Sequence, residues 1–337
     1  MIHLKHFDAA INDFIESIKL NPTNDNAYLL RGYAEDQIDD DTNAIVDYGM
    51  AIKLNPKNSN DPYGLRANLE LRLNNYDGAV ADLTKSIEFN PTNAAAYYSR
   101  GFTTYFRLHT DVAGAIADLD KAIELDPGNS ISYALRGILR RSSKNYSGAI
   151  DDYNKAIELD PKNGANYLLL ALMQNDLSEL RPALTNFNKA EKISSDPLIL
   201  NRISLIRIQS GEQKEVTDEV MQFTNESAEF KASKAKADAH GEPLPFSAAL
   251  IDELLANLIP ESDFFRSATN PTLSQITQKD NLCMAYYYAG MKRLIAGDKS
   301  GAIDLFQKCV DAGQVPYIQP GYFEYDSAEM KLNALKN

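Results

Sequence analysis

The chain has 337 residues, enough for two ordinary domains or one extended array of repeats, and 44% of them are hydrophobic, which is typical of a folded, water-soluble protein. Its 34 basic and 47 acidic residues give a net charge of −13, which repels phosphate backbones and argues against DNA or RNA as a partner. No apolar run approaches the roughly 20 residues that a helix needs to cross a bilayer, so we expect no membrane span in this chain.

The N-terminal segment "MIHLKHFDAAINDF" lacks the unbroken apolar core of a signal peptide. It has the pattern of the second helix of a helical hairpin, which leaves open a leader or anchor upstream of Met1. His3 and His6 are spaced for one helix face, but nothing nearby completes a metal shell. We therefore expect no metal and no cofactor.

A repeat of helical hairpins follows along the chain. The prolines Pro22, Pro56, Pro91, Pro127 and Pro161 recur at intervals of 34, 35, 36 and 34 residues, and such a period indicates stacked supersecondary units. Twelve residues before each proline stands an alanine: Ala10, Ala44, Ala79, Ala115 and Ala149. Eight before stands a large apolar residue: Phe14, Tyr48, Leu83, Leu119 and Tyr153. Five before stands a small one: Ser17, Ala51, Ser86, Ala122 and Ala156. Within each unit, these spacings place the alanine, the large residue and the small residue on one face of a helix.

Each of these helices is preceded by a first helix with its own pairing of a large with a small residue. The large residues are Tyr28, Tyr63, Tyr97, Tyr133 and Tyr167. The small residues, four positions later, are Gly32, Ala67, Gly101, Gly137 and Ala171. The small side chains let the partner helix approach closely, so each unit is predicted to be a hairpin of two packed helices.

This combination of spaced positions resembles the tetratricopeptide repeat (TPR) family. The resemblance implies an all-α fold, a right-handed superhelical α-solenoid of helix hairpins. We predict a lone second helix in residues 1–24, and then five repeats over 25–197, with the boundaries 25–58, 59–93, 94–129, 130–163 and 164–197.

The pattern weakens and then returns in the C-terminal part. Residues 198–230 are predicted to form a degenerate repeat, 231–246 a polar linker, and 247–282 a helical segment. Residues 283–337 carry a last TPR-like repeat and a capping helix. This module is similar to the C-terminal ends of bacterial TPR adaptor proteins, including a lipoprotein, and the similarity implies a bacterial adaptor in the periplasm or the cytoplasm.

The repeats carry matching arginines and aspartates that we interpret as structural ion pairs. The arginines of the first helices are Arg31, Arg66, Arg100 and Arg136, and the aspartates of the second helices are Asp47, Asp82, Asp118 and Asp152. The fifth repeat loses both together, with Leu170 and Asn186 in their places. A planar guanidinium can meet a carboxylate with two hydrogen bonds, so we expect pairing within each repeat rather than phosphate binding.

The family resemblance places the partner-binding groove on the first helices, and the lining is apolar here. The candidate groove residues are Tyr33, Asn68, Arg72, Tyr98, Phe102, Phe106, Ile138, Arg141 and Leu172. In the third repeat, Tyr98, Phe102 and Phe106 are predicted to point into the groove because Tyr97, Gly101 and Thr104 already supply the core positions. Ordinary packing between repeats is the alternative. Of the residues with which some TPR domains clamp acidic chaperone tails, only Asn68 is present, which argues against that partner class.

No catalytic constellation is recognisable: the chain has no glycine-rich phosphate loop, no G-x-S-x-G and no H-E-x-x-H. We interpret Cys283 and Cys309 as packed free thiols, with a disulfide between them as the less favoured alternative, since both lie at the same end of a predicted hairpin.

The function that follows is a noncatalytic scaffold that binds a protein, as a peptide, a helix or a second copy of the chain, in an aromatic-lined groove. Two alternatives stay open. One is a regulatory repeat protein with chemistry in residues 231–282. The other is a structural solenoid whose groove is filled by its own segment "PLPFSAALIDELLANLI".

Overall fold

A computed structural model describes residues 2–108, 110–194, 197–226, 247–257, 259–269, 275–312 and 321–336. Every regular element within these ranges is a helix. The chain divides into two compact units, Met1–Ser143 and Lys144–Asn337. None of the described helices is both long enough and apolar enough to span a bilayer.

Unit 1 is a stack of helices in which each helix packs against the next one along the chain. Its helices are α1 (Ile2–Leu20), α2 (Asp25–Asp36), α3 (Asp41–Leu54), α4 (Pro62–Arg72), α5 (Tyr76–Phe89), α6 (Ala94–Phe106), α7 (Val112–Leu125) and α8 (Ser130–Ser142). The pairs α2 and α3, α4 and α5, and α6 and α7 are the hairpins predicted from the spacing of aromatic and small residues.

Short polar residues start these helices. The side chains of Asp40, Asn75, Asn93 and Asp111 each accept a hydrogen bond from the backbone N–H three residues ahead. Such caps satisfy one of the N–H groups that have no partner in the first turn, and each contributes about 1 kcal/mol to helix stability. These caps therefore help to fix where α3, α5, α6 and α7 begin.

The core of unit 1 is built from the small and large positions of the repeat. Ala44, Ala79 and Ala115 are completely buried in the second helices. Opposite them, a Cβ atom on Gly101 would lie 3.0 Å from the carbonyl oxygen of Ala115 and 3.2 Å from Cβ of Asp118. Glycine at this position therefore lets α6 and α7 approach closely.

Unit 2 begins with repeat-like helices and ends with a helical C-terminal module. Its helices are α9 (Tyr146–Leu159), α10 (Gly164–Asp176), α11 (Leu180–Ser194), α12 (Pro197–Gln209), α13 (Gln213–Glu226), α14 (Ala248–Leu255), α15 (Glu261–Ala268), α16 (Gln275–Ile295), α17 (Lys299–Asp311) and α18 (Gly321–Lys336). The predicted linker, 231–246, lies outside the described residues, and the repeat boundaries stay predictions.

The C-terminal module shares one hydrophobic core with α12 and α13. Ile251, Phe264, Tyr287 and Phe306, from four different helices, are buried in it together with Leu205 of α12. Helix α14 packs on α12 and α13, and α18 packs on α16, α17 and α10. The C-terminal helices therefore fold back onto the first helices of the repeats in this unit.

The two cysteines correct the sequence-based interpretation. Cys283 and Cys309 form a disulfide that joins α16 to α17, with their Cα atoms 4.6 Å apart. That separation lies within the range that a disulfide spans. The free-thiol interpretation was therefore wrong: sequence spacing placed both residues at one end of the hairpin but gave no distance between the two helices.

Candidate functional site

Arginine and aspartate side chains form regular contacts inside the hairpins of unit 1. Arg31 donates to Asp47 through Nε (2.5 Å) and Nη2 (2.7 Å). Arg66 does the same with Asp82, at 2.6 and 2.7 Å. The third contact, from Arg100 to Asp118, measures 2.9 and 2.6 Å. Each is a bidentate, partly buried ion pair that links the first helix of a hairpin to its second helix.

The fourth predicted pair, Arg136 with Asp152, joins residues of different units and stays a prediction. Within unit 1, Arg136 Nη1 donates to Asp120 of α7 at 2.7 Å. The described arginines of the first three pairs are therefore engaged with carboxylates of their own hairpins, which leaves them poorly suited to hold an anionic ligand.

A buried glutamate accompanies two of these pairs. Glu35 and Glu70 stand four residues after Arg31 and Arg66, and one carboxylate oxygen of each, Oε2, has no hydrogen-bond partner. Burial, together with the negative charge of Asp47, raises the pKa of Glu35 to about 7. Burial and Asp82 likewise raise the pKa of Glu70. Each of these two hairpins thus holds two carboxylates around one arginine.

The fifth repeat replaces this charged set with a neutral one. Leu170 takes the arginine position and is buried. Asn186 takes the aspartate position, and its Nδ2 donates to Oε1 of Gln174 at 2.9 Å. Gln174 occupies the position of Glu35 and Glu70, so the fifth repeat differs from the first two repeats at all three positions.

In unit 1, α4 and α6 carry partly exposed side chains that could contact a partner. We call the surface lined by Leu65 and Asn68 of α4 and by Tyr98, Ser99 and Phe102 of α6 the α4–α6 groove. The groove contains a cavity of about 160 Å³, bounded by residues of both helices and of their capping turns and by Leu83 of α5. Its walls are Asn60, Asp61, Gly64, Leu65, Asn68, Leu83, Asn93, Ala95, Ala96 and Ser99.

Small residues create this cavity, and its polar groups are fixed. The carboxylate of Asp61 accepts hydrogen bonds from the backbone N–H of Gly64, from Ser86 Oγ and from Asn93 Nδ2, at 3.0, 2.6 and 3.1 Å. Asn68, by contrast, is exposed at the rim.

The aromatic residues of α6 form a row of stacked rings. The ring centroids of Tyr98 and Phe102 are 6.4 Å apart, and those of Phe102 and Phe106 are 5.2 Å apart. Tyr98 and Phe102 are half-buried, and burial raises the pKa of the Tyr98 hydroxyl. Phe106 differs from the prediction: only 4% of it is exposed, because Tyr105 packs edge-on against its ring.

Sequence reasoning missed Arg107, which lies against the row of aromatic rings on α6. Its guanidinium carbon lies 5.7 Å from the ring centroid of Phe102 and 5.6 Å from that of Tyr76. Among the described residues it has no carboxylate partner. The sequence signal was weak, because Arg107 follows the repeat's landmark positions and has no counterpart in the neighbouring repeats.

Arg72, by contrast, is already paired. Its Nη2 contacts a carboxylate oxygen of Asp36 and donates to Asp41 at 2.5 Å, which links α4 to the preceding hairpin. Arg72 is therefore a poor anchor for an anionic group of a ligand, which would have to displace two acidic side chains.

The remaining predicted groove residues divide by exposure. Tyr33 on α2 is 46% exposed and offers open surface. Ile138, Arg141 and Leu172 are buried, which differs from the prediction of an open lining. Leu172 packs with Ala183 of α11 in a core cluster, so its position serves the packing of the hairpin.

Unit 2 contains the segments that the two alternative functions invoke. Ile251 and Leu254 of α14, which belongs to the segment proposed to fill the groove, are completely buried. Burial also raises the pKa of Asp252 to about 6. No cluster of three or more His, Cys, Asp or Glu side chains suited to a metal ion occurs in the part of the chain that the structure describes.

Comparisons with known proteins agree with this architecture. A model of the tetratricopeptide repeat matches residues 130–163, and a second TPR repeat model matches residues 67–106. No curated protein matches the chain significantly in sequence.

Solved TPR structures resemble the chain over about half of its length. YrrB, described as a TPR protein with an unusual peptide-binding site, is 18% identical, with a TM-score of 0.50, over 55% of this chain and 94% of YrrB. PilW, a type IV pilus biogenesis factor, is 19% identical, with a TM-score of 0.49, over 62% of this chain and 97% of its own. MamA from Desulfovibrio magneticus RS-1 is 17% identical, with a TM-score of 0.47, over 51% and 95%.

At these identities the similarity concerns the fold. The two repeat models identify tetratricopeptide repeats in this chain at residues 67–106 and 130–163.

Proposed function

We propose that the protein is a noncatalytic scaffold that binds a segment of a partner protein in the α4–α6 groove. The observation that carries this proposal is that α6 bears both a pair of half-exposed rings, Tyr98 and Phe102, and residues that line a cavity of about 160 Å³. Aromatic side chains next to a concave, partly apolar pocket are typical anchors of protein interfaces.

The charge distribution of the groove suggests what the bound segment looks like. The three Arg–Asp pairs neutralise their own charges inside the hairpins. Among the described residues, the groove therefore offers rings, amides, the hydrogen-bonded carboxylate of Asp61 and the cation of Arg107. An apolar or aromatic side chain would fill the cavity, and Asn68 would donate to or accept from the backbone of the segment. YrrB, a TPR protein described as having an unusual peptide-binding site, supports a peptide segment as the ligand.

The test is a comparison of three forms of the full chain as bait in extracts of the native source. Wild type, Phe102→Ala and Phe89→Ala are immobilised, and the retained proteins are quantified by mass spectrometry. Phe89 is a matched control, since it is an exposed phenylalanine of the same unit on α5, outside the groove. We expect the specific partners to be depleted at least tenfold by Phe102→Ala and to be unchanged by Phe89→Ala, because truncating an anchor removes about 2 kcal/mol or more.

An identical set of proteins on all three baits would contradict the proposal. Sedimentation of the wild type tests the special case in which the partner is a second copy. A dimer that Phe102→Ala dissociates would identify the copy as the occupant of the groove.

The alternative of a self-filled groove has one observation in its favour, the packing of α14 on α12 and α13 in unit 2. Limited proteolysis near His240 separates the two ideas. If the fragment 241–337 leaves without loss of solubility, the segment is not a plug that the rest of the chain requires.

A further inference from the structure

Helix α1 has the sequence and the packing of a second helix. Its Ala10, Asp13 and Phe14 stand where every hairpin of unit 1 has an alanine, an aspartate and a large apolar residue. The helix also packs on the one that follows it, α2, just as α3 packs on α4 and α5 packs on α6. The face that these three residues form therefore corresponds to the face with which a second helix contacts the first helix of its own hairpin.

This face of α1 is open. In α3, contact with α2 leaves the alanine, the aspartate and the tyrosine of the equivalent face 2% exposed or less. In α1, Phe7, Ala10 and Phe14 are only half-buried, and Asp13 is exposed. In the described part of the chain, no first helix packs on α1 as α2 packs on α3.

Asp13 is the charged group of the open face. Its carboxylate has no hydrogen bond or ion pair with any residue that the structure describes. In each hairpin of unit 1, the equivalent aspartate accepts two hydrogen bonds from an arginine of the first helix, at 2.5 to 2.9 Å. Such bidentate contacts between charged groups are stronger than hydrogen bonds between neutral ones. A helix that covers α1 in the same way would therefore present an arginine to Asp13.

The hairpins also limit the size of the residue that follows this arginine. It is Gly32, Ala67 or Gly101. A Cβ atom on Gly32 would already lie 3.1 Å from Cβ of Asp47 and 3.2 Å from the carbonyl oxygen of Ala44. A side chain larger than alanine would separate the two helices, so the covering helix needs glycine or alanine directly after its arginine.

A tyrosine three residues before the arginine completes the pattern. The guanidinium carbon of Arg31 lies 5.7 Å from the ring centroid of Tyr28, and that of Arg100 lies 5.9 Å from that of Tyr97. A ring at this distance attracts the cation and helps to hold it in position for the carboxylate.

A second copy of the chain is a poor source of such a helix. Arginine is followed by glycine or alanine at four positions of the sequence: Arg31, Arg66, Arg100 and Arg136. The first three are bound to the aspartates of their own hairpins, and the fourth is bound to Asp120. A second copy would have to break one of these ion pairs to form a new one. A different protein with an exposed arginine would not.

We propose that the face of α1 formed by Phe7, Ala10, Asp13 and Phe14 binds a helix of a partner protein. This helix carries a tyrosine, two variable residues, an arginine and then a glycine or an alanine. It lies on α1 as α2 lies on α3, with its arginine on Asp13 and its small residue against Ala10. The site is separate from the α4–α6 groove and does not depend on the function proposed for that groove.

The test is the binding of a fluorescent peptide of residues 24–37 to the full chain, measured by anisotropy. The peptide has the sequence of α2, with its tyrosine, arginine and glycine. We expect saturable binding that Asp13→Asn weakens at least tenfold, because the carboxylate that meets the arginine is lost. Asp8→Asn is the matched control and should leave the affinity unchanged. Asp8 is an exposed aspartate of the same helix, and the residues at its position in α3, α5 and α7 are exposed as well.

Two changes in the peptide test which groups the site recognises. With Arg31→Gln in the peptide, the wild-type and Asp13→Asn chains should bind it equally, because the ion pair is then absent from both complexes. Gly32→Leu in the peptide should weaken binding to the wild-type chain at least tenfold, because the larger side chain keeps the helices apart.

Three results would overturn the proposal. The first is no binding of the unchanged peptide to the wild-type chain. The second is binding that Asp13→Asn does not weaken, since the peptide would then occupy another surface, such as that of α2. The third is a dimer of the wild-type chain that Asp13→Asn dissociates in sedimentation, since the occupant would then be a second copy.

Discussion

Replacing Arg66 with leucine is expected to destabilise unit 1 more than replacing its partner, Asp82. The pair has two hydrogen bonds, at 2.6 and 2.7 Å, and 26% of the Arg66 side chain is exposed against 8% of that of Asp82. Removing the arginine leaves a buried carboxylate without a cation, which costs about 3 kcal/mol. Removing the aspartate leaves an arginine whose guanidinium group can turn toward water, so we expect the free energy of unfolding to fall by about 1.5 kcal/mol.

Glu70 adds a pH dependence with a defined sign. Burial and the charge of Asp82 raise the pKa of Glu70, whereas Arg66 lowers it. Without Arg66 the folded-state pKa of Glu70 rises further above its unfolded value. A group with a raised folded-state pKa loses its stabilising contribution as the pH rises through that value. The stability deficit of Arg66→Leu should therefore be larger at pH 8 than at pH 5.

The fifth repeat indicates how the loss can be repaired. It contains leucine, glutamine and asparagine at the positions of Arg66, Glu70 and Asp82, and the two amides are hydrogen-bonded at 2.9 Å. The triple variant Arg66→Leu, Glu70→Gln, Asp82→Asn should therefore recover the stability of the wild type to within about 1 kcal/mol, because a buried ion pair can be replaced by a neutral set of matching shape.

Urea unfolding, followed by circular dichroism and by hydrogen exchange of α4 and α5, measures these differences. Arg72→Leu is the control, because its ion pairs are exposed and should contribute no more than about 1 kcal/mol. Equal costs for Arg66→Leu and Asp82→Leu, or a triple variant less stable than Arg66→Leu, would refute the reasoning.

Three further predictions concern unit 2 and can be checked by calorimetry of the full chain. Gly290→Ala should cost about 2 kcal/mol, because the new Cβ would lie 2.7 Å from a ring atom of the buried Phe306; an unchanged melting temperature would contradict this contact. Burial raises the pKa of Asp252 from 3.8 to about 6, so the folded protein loses stability as the pH rises through 6 and this carboxyl group becomes charged. The free energy of unfolding of Asp252→Asn should therefore exceed that of the wild type by up to about 3 kcal/mol at pH 7, but by little at pH 4. Reduction of the Cys283–Cys309 disulfide, which closes a loop of 26 residues, should cost about 3 kcal/mol; detection of two free thiols in the native protein by alkylation and mass spectrometry would contradict the bond.

Much of the fold could be predicted from the sequence because the same packing positions recur in several repeats. Positions such as Ala44 and Tyr48 recur with their neighbours, so the period of the helix identifies the buried face without any knowledge of distances. The Arg–Asp contacts were open to the same reasoning, because the fifth repeat changes both positions at once.

Features that depend on a single contact between helices were harder to predict. Phe106 has the spacing of a groove residue, yet Tyr105 and the neighbouring rings cover it. Leu172 occupies the groove position of its repeat but joins the core against α11. The contact between Arg202 and Glu324 spans 122 residues, and no local pattern marks either partner.

The most direct test of the central claim combines two measurements on Phe102→Ala: its affinity for a purified partner from the capture experiment, by calorimetric titration, and its free energy of unfolding. The account predicts roughly thirtyfold weaker binding, equivalent to about 2 kcal/mol, with stability within about 1 kcal/mol of the wild type and of the control Phe89→Ala. Unchanged affinity, together with a loss of stability of about 3 kcal/mol or more, would show that the ring serves packing and would contradict the assignment of the α4–α6 groove as the binding site.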